Sequence, residues 1–343
     1  MDESREYTIA DVAKRAGVSI STVSRILNGK QDVAAATRER VKQVIDELGY
    51  TPHAQARSLR AGKTHSIAMV FPQKHPATTP FNPLDLEFMV GSATAAGERS
   101  FFFNLVTAHL NKRALLEMVR SAQVDGAILM QIHVQDWRVE LLREKGFPFV
   151  MIGHAAENTG ISFVDLDFEM AAQVAFEHLI GLGHRQIAFL GHPRELHETG
   201  YGPALRSWQG YETALKTHGI EPIHREIGFS ANGITQQTLD LLDEHPALTA
   251  IFTTHAHAAL HIIQALDARG RHIPQDFSVI AVTDTRIAEL SSPKMTHIDF
   301  PAYEMGYKAA SMLIRMLKGE TETPEQIVIP PRLVLCDSTG PVK

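Results

Sequence analysis

Between Ser19 and Asn28 the chain gathers Ser19, Ser21, Thr22, Ser24, Arg25 and Asn28, so hydroxyls, a guanidinium and a carboxamide share one short segment. Such groups hydrogen-bond to phosphate oxygens, and a guanidinium can also grip guanine O6 and N7 together. The chemistry on offer is nucleic-acid recognition. A second cluster invites another reading: Thr254-His255-Ala256-His257, with His261 four residues beyond His257. H-x-H at a strand end can ligate a metal, and His257 and His261 would share a helix face as zinc ligands do. A metal site also needs a further ligand and a positioned water or base, and no carboxylate lies nearby in the sequence to complete it. Polar lining of a ligand cleft is the reading we favour for these imidazoles. No Gly-rich phosphate loop, G-x-S-x-G elbow or H-E-x-x-H run is present, so no catalytic residue, metal or cofactor is expected.

The polar segment needs a carrier. Ile9, Val12, Ala13 and Ala16 recur at helical spacing, which predicts a short helix from Thr8 to Arg15. Thr8 and Asp11 fit the reciprocal cap in which each side chain satisfies a free backbone N–H. Gly17 supplies a turn with positive φ, and Ser19 can cap a second helix, Ile20 to Leu27, that Asn28-Gly29 stops. Two such helices make either an ordinary helical hairpin or a helix-turn-helix, whose second helix lies in the DNA major groove. Val12, Ala13, Val18, Val23 and Ile26 can face inward, which leaves the polar groups outward and tilts the balance to the helix-turn-helix. A third helix is expected from about Thr37 to Leu48, with Val41, Val44, Ile45 and Leu48 on its core face; Thr37 could cap it. Tyr50 to Lys63 then reads as a linker whose Ala/Gln/Arg/Leu content favours helix but whose length cannot hold one alone in water. It is either a flexible tether or a segment that folds against DNA and against its twin in a dimer. Arg57, Arg60 and Lys63 around an apolar Leu59 favour the second.

From Ser66 onward, apolar runs at 66–71, 101–106, 126–130, 149–152, 186–191, 250–254 and 278–282 read as buried strands. Helical patterns at 89–99, 113–122, 138–144, 170–182, 205–216, 235–244 and 258–268 fall between them. That alternation predicts an α/β fold of parallel sheets with helices on both faces, and 343 residues suffice for two or three domains. Residues 1–64 carry eleven Lys/Arg against eight Asp/Glu, or +3, so the remainder of the net −6 is −9. A mildly basic head on an acidic body is the asymmetry expected when the head alone meets phosphate. One cysteine, Cys336, excludes an internal disulfide and suits a reducing compartment. With no signal segment and no apolar run long enough to span a bilayer, a cytoplasmic protein without a membrane partner is expected.

TIADVAKRAGVSISTVSRILNG (8–29) followed by TRERVKQVIDELGYTPHAQARSLRAGKT (37–64) resembles the head of the LacI/GalR family of bacterial transcription regulators. Further matches lie at HLIGLGHRQIAFLGHP (178–193), GYETAL (210–215), IPQDFSVIAVTDTRIAELSSP (273–293), EMGYKAA (304–310) and the closing STGP. The resemblance implies a helix-turn-helix head over 1–50, a hinge helix over 51–64 and a two-lobed, periplasmic-binding-protein-like body over 65–343. Lobe one is expected at about 65–183 and 299–326, and lobe two at about 184–298 and 327–343. The implied function is a repressor acting as a homodimer on pseudo-palindromic double-stranded operator DNA, with affinity controlled by a small molecule between the lobes. Ile20, Ser21 and Arg25 would read bases, Ser19, Thr22 and Asn28 would hold phosphates, and Thr8, Ser24, Tyr50, His53, Ala56 and Arg57 would add contacts. The hinge leucine, Leu59 here, would wedge between base pairs to bend the site. Family members usually carry a capping serine where this chain has Ala34, so the third helix starts weaker here by about 1 kcal/mol. After STGP there is no heptad tail of the kind that joins dimers into tetramers, so a dimer is expected.

Sugars are the family's commonest effectors, and this chain departs from the sugar-binding pattern at four places. Ser207 stands where an arginine is common, with Arg206 one residue early and turned by about 100° on a helix. Thr283 replaces an acidic residue, His255-Ala256 an Asn-Asp pair, and Asp167-Phe168 an Asp-Asn pair. Ser207, Thr283 and His255 still supply hydrogen bonds, and Arg206 is expected beside them. Phe229 keeps an aromatic suited to stacking on a ring, and Phe81 and Phe168 could add apolar walls. A neutral glycoside or disaccharide is therefore the expected effector, ahead of a metal- or nucleobase-responsive regulator of the same architecture. A transport-associated solute-binding protein would share the two lobes but would carry a signal peptide and lack the head.

Overall fold

The computed structural model describes residues 7–27, 32–50, 63–71, 83–107, 110–121, 123–255 and 258–342. The chain divides into two units, 1–64 and 65–343. In the first, helix α1 (Ile9–Ala16) opens on the expected reciprocal cap: the Asp11 N–H donates to the Thr8 hydroxyl at 3.4 Å and the Thr8 N–H to Asp11 Oδ2 at 2.9 Å. Gly17 closes it at φ 66°, where a side chain would be strained. Ser19 caps α2 (Ile20–Leu27) by accepting from the Thr22 N–H at 3.1 Å. Helix α3 (Ala35–Leu48) begins before Thr37, which lies in its first turn and does not cap it; Ala34 offers no side-chain cap either. Val12, Ala13, Ala16, Val23, Ile26, Val41, Val44 and Tyr50 form the core of this unit.

The body opens with β1 (Ser66–Val70), α4 (Pro83–Glu98), β2 (Phe102–Val106), α5 (Lys112–Arg120), β3 (Gly126–Leu129), α6 (Trp137–Glu144), β4 (Phe149–Ile152) and β5 (Ser162–Leu166). It continues with α7 (Phe168–Gly181), β6 (Ile187–Gly191), α8 (Arg194–Glu198), α9 (Gly202–His218), β7 (Ile223–Glu226), α10 (Ala231–Glu244) and β8 (Ala250–Thr253). Then come α11 (Ala258–Ala268), β9 (Ser278–Thr283), α12 (Thr285–Leu290), β10 (Thr296–Asp299), α13 (Ala302–Lys318), β11 (Gln326–Ile329) and β12 (Leu333–Val334). Two six-stranded sheets result, in the orders β11-β5-β4-β3-β1-β2 and β12-β10-β9-β8-β6-β7. Every pairing is parallel except that of β12 with β10. Strands buried on both faces need apolar residues throughout. This is why β1, β4, β6 and β9 read as continuous apolar runs.

The lobes exchange chain at other points than expected. Helix α7 packs on α9 and on strands of the second sheet, so the first crossing falls at Asp167 rather than near 183. Strand β10 ends in the second sheet, and β11 returns to the first, which puts the last crossing between Ile329 and Leu333 rather than at 326. Strands β5, β7, β10, β11 and β12 and helices α8, α12 and α13 lie where no element was expected from the sequence.

The C-terminal stretch is pinned to lobe two by a buried histidine. His184 Nε2 lies 3.0 Å from the Gly340 carbonyl and 3.0 Å from the Ser278 hydroxyl, and Nδ1 lies 2.9 Å from the Thr249 hydroxyl. A carbonyl can only accept, so Nε2 carries the proton and Nδ1 accepts. Burial pushes the pKa of His184 below its ordinary 6.5, against a smaller upward pull from Gly340. The unfolded chain thus binds the proton first as pH falls below about 6.5. Stability should fall from there until the lowered folded pKa is passed, then level off. Melting temperatures recorded from neutral to mildly acid pH should drop more steeply for the wild type than for His184→Asn. Parallel curves would show that His184 does not contribute.

Candidate recognition helix and ligand cleft

Val23 and Ile26 turn one side of α2 into the head's core, which leaves Ile20, Ser21, Ser24 and Arg25 on the opposite side. Ile20 is 42 % exposed, unusual for an isoleucine, and Ser21 and Arg25 are exposed beside it. Ser19 is occupied locally, with its hydroxyl 2.7 Å from that of Ser21 and 2.8 Å from that of Thr22. Arg25 lies 3.5 Å from Asp32, but both side chains are more than half exposed, so the tether is weak and the guanidinium can exchange it for a base edge. Tyr50 is buried in the core of the head, which makes it a packing residue rather than part of the exposed face. Asn28, His53, Ala56, Arg57 and Leu59 lie outside the described residues. Replacing Ile20 and Ser21 together should move the preferred DNA sequence with little change in nonspecific affinity. A binding-site selection that returned the unchanged consensus would refute their role in base reading.

In open parallel sheets, ligand groups collect beyond the carboxyl ends of the strands. Four such ends in lobe two carry aromatic and polar residues. His255, just after β8, is buried, with its ring 4.4 Å from that of His192, after β6, and 5.5 Å from that of Phe229, after β7. His192 also meets Tyr201 edge-on at 5.4 Å, and its Nδ1 lies 3.1 Å from the Thr254 hydroxyl. Loss of solvation, helped by the charges of Asp165 and Asp85, pushes the Tyr201 phenol far up, so it stays a proton donor. Thr283 ends β9. It is 1 % exposed, and its hydroxyl has no hydrogen-bond partner among the described residues. Such a hydroxyl costs free energy unless something else bonds to it.

Other expected ligand residues sit elsewhere. Ser207 is fully buried, and its hydroxyl donates back along α9 to the Pro203 carbonyl at 2.7 Å, so it has nothing to offer a cleft. Phe168 packs into the core of lobe two with its ring 5.7 Å from that of Phe300, and forms no cleft wall. Arg206 does leave its helix, but for lobe one, where Nη2 donates to the His154 carbonyl at 2.7 Å and Nη1 lies 3.5 Å from Asp165 Oδ2. The Nη1 contact is a charge contact without hydrogen-bond geometry. His154, Asp165, His192 and Tyr201 carried no sequence signal that marked them as cleft residues. Phe81, Ala256 and His257 lie outside the described residues. No group of three or more His, Cys, Asp or Glu among the described residues is placed to hold a metal. His261 instead has Nδ1 3.2 Å from Gln264 Oε1.

Residues 8–53 match the profile of bacterial regulatory proteins of the lacI family, and residues 176–339 that of a periplasmic binding protein-like domain. The transcriptional regulator CelR of Thermobifida fusca is 31 % identical over 98 % of this chain and 100 % of its own. The chain belongs to the LacI family. A solved CelR–cellobiose complex shares 30 % identity over 97 % of this chain and 99 % of that one, with a TM-score of 0.70. The lac repressor bound to ONPG in its repressed state shares 26 % over 98 % and 100 %, with a TM-score of 0.82. The LacI-family head accounts for the exposed face of α2, and the periplasmic-binding-protein-like body for the paired sheets. The chain is thus a DNA-binding transcriptional regulator and not an enzyme. No described helix is long and apolar enough to cross a membrane.

Proposed function

We propose that this LacI-family protein is a homodimeric repressor whose hold on operator DNA is set by a neutral glycoside or disaccharide in its cleft. The observation that carries the ligand class is the wall of lobe two. Phe229 offers a face for a sugar ring, the imidazoles of His192 and His255 stand beside it, and the Thr283 hydroxyl lacks a partner among the described residues. Arg206, which would suit an acidic ligand, already faces Asp165. The cellobiose bound by the CelR relative supports a sugar of this size. For the dimer, Leu86 and Val90 on α4 and Phe102 and Leu105 on the edge strand β2 are all exposed on neighbouring elements. A second copy covering them would remove both an apolar patch and an open sheet edge.

The ligand acts by binding one lobe arrangement better than the other, and that difference is the whole signal. Calorimetry of the full-length protein against cellobiose, glucose and a nucleobase tests the reading. The disaccharide should bind and shift operator affinity. Tight binding of free glucose that His255→Ala leaves unchanged would overturn it, and binding of the nucleobase alone would replace the sugar with a planar heterocycle.

A further inference from the structure

Besides the apolar packing of Ile287 and Phe300 against the core of lobe one, two ion pairs between described residues join the lobes. Arg286 on α12 pairs with Glu87 on α4, but the arginine is largely exposed, and such a pair contributes little. The Arg206 contacts, by contrast, are largely covered, with the side chain 15 % exposed. Asp165 on β5 is 2 % exposed and accepts from the Leu166 N–H at 2.9 Å, with His154 Nδ1 2.8 Å away and the Arg206 guanidinium 3.5 Å away. Beside this pair the backbones of the two lobes bond directly. The Val134 N–H donates to the Gly200 carbonyl at 2.7 Å, and the Gly202 N–H to the Ile132 carbonyl at 3.1 Å. His133 Nδ1 lies 2.7 Å from the Thr199 carbonyl.

The lobe-one side of this bridge is braced from within. Arg138 is buried against Asp136 and donates to the Gln131 carbonyl at 2.9 Å, while Asp136 accepts from the His133 N–H at 3.2 Å. Gln131 is held at φ 53°, a conformation a non-glycine residue keeps when its surroundings impose it. On the other side, Gly202 makes the seat for the guanidinium. A Cβ added there would lie 2.4 Å from Arg206 Nη1 and 3.3 Å from the Ile132 carbonyl oxygen.

We propose that Arg206, Asp165 and Gly202 form an interlobe latch that sets the lobe arrangement of the ligand-free protein, and through it operator affinity. Separating the largely covered guanidinium from its carboxylate leaves the Arg206 charge without a counter-charge until water reaches it, while Asp165 keeps the Leu166 N–H and His154. The bridge therefore opens as a step rather than by gradual stretching, which suits a two-state switch. The latch stands on the contacts between lobes and does not depend on which ligand fills the cleft.

Amide hydrogen exchange on the full-length protein, with no ligand added, reads the latch directly, because the N–H groups at positions 134 and 202 donate across the cleft. In Arg206→Gln, Asp165→Asn and Gly202→Ala, exchange at both positions should quicken by about 5- to 150-fold, the usual span of coupling between sites. Amides of β1 should keep their wild-type rates, which shows that the variants are folded. Gly202→Ala discriminates best, since alanine favours a helix more than glycine does, and a purely structural role predicts slower exchange. The double variant of Arg206 and Asp165 should exchange no faster than the faster single one. Operator affinity should move in the same direction in all three single variants. Wild-type exchange in Arg206→Gln or Asp165→Asn overturns the latch, as do operator effects of opposite sign. Slower exchange in Gly202→Ala removes the glycine from it.

Discussion

Gly210→Ala should destabilise the body by about 1–3 kcal/mol or more, although the same change at an open helix position is stabilising by about 0.5–1 kcal/mol. The reversal comes from helix packing. Where α9 lies on α7, a Cβ at position 210 would stand 2.0 Å from the Glu169 carbonyl oxygen, 2.9 Å from its carbon and 3.0 Å from Ala172 Cβ. Two of those atoms belong to backbone, so no rotamer change relieves the clash and α9 itself must shift. That helix carries Arg206 and the buried Tyr211, so cleft and core are disturbed together. Gly97 on α4 is the control, since a Cβ there meets nothing within 4 Å. Thermal unfolding of the full-length protein should show a lowered midpoint for Gly210→Ala and an unchanged or raised one for Gly97→Ala. Equal midpoints would mean that α7 and α9 can separate at no cost. Gly91, with a Cβ 2.1 Å from the Tyr303 carbonyl oxygen, and Gly306, with one 2.2 Å from that of Phe88, set the same restriction between α4 and α13.

This close approach also explains part of what the sequence made legible. GYETAL was recognisable as a family element before any contact was known, and Gly210 and Tyr211 within it prove to be packing residues. Strands buried on both faces were legible because burial demands one kind of residue along the whole run. β5 was hidden because Ser162 and Asp165 interrupt its apolar residues, and Asp165 is there to meet Arg206 from the other lobe. β10 was masked by Thr296, His297 and Asp299, and β7 and β11 by their position at sheet edges, where half the side chains face water. The lobe boundary failed for a different reason. Chain order says where α7 begins, but which sheet it covers depends on the surface of Ala171, Ala172 and Ala175 that it turns to lobe two.

The cleft was partly legible. His255 and Phe229, from two separate strand ends, lie with their rings 5.5 Å apart, and Thr283 ends the strand paired beside β8, whereas Ser207 and Phe168 are committed elsewhere. The reading of position 207 assumed that a polar residue near the family's arginine keeps that arginine's task. A buried helical serine instead bonds to the carbonyl four residues back. Arg206 had been turned away by about 100°, and nothing in the sequence showed that a carboxylate from lobe one would receive it.

Phe229→Ala should push the response to the effector to roughly tenfold to hundredfold higher concentration while operator binding without effector stays as in the wild type. The side chain lies in the loop after β7, half-buried, against His255 and outside the four body cores. Removing it takes away the flat apolar face on which a sugar ring would rest, while the strands and the latch residues keep their contacts. Covering a phenylalanine side chain contributes about 1.5–3 kcal/mol. At about 1.4 kcal/mol per decade, ligand affinity should fall roughly tenfold to a hundredfold. His255→Ala should weaken the same ligand by the loss of a hydrogen bond, about 0.5–1.5 kcal/mol. The two changes together should fall short of the sum, because the rings touch and share one ligand surface. Titrations of each variant with cellobiose, paired with operator binding at fixed salt, separate the possible outcomes. If Phe229→Ala binds the disaccharide as tightly as the wild type, this wall is not the binding surface. If operator affinity falls in the absence of sugar, Phe229 belongs to the switch rather than to the ligand site.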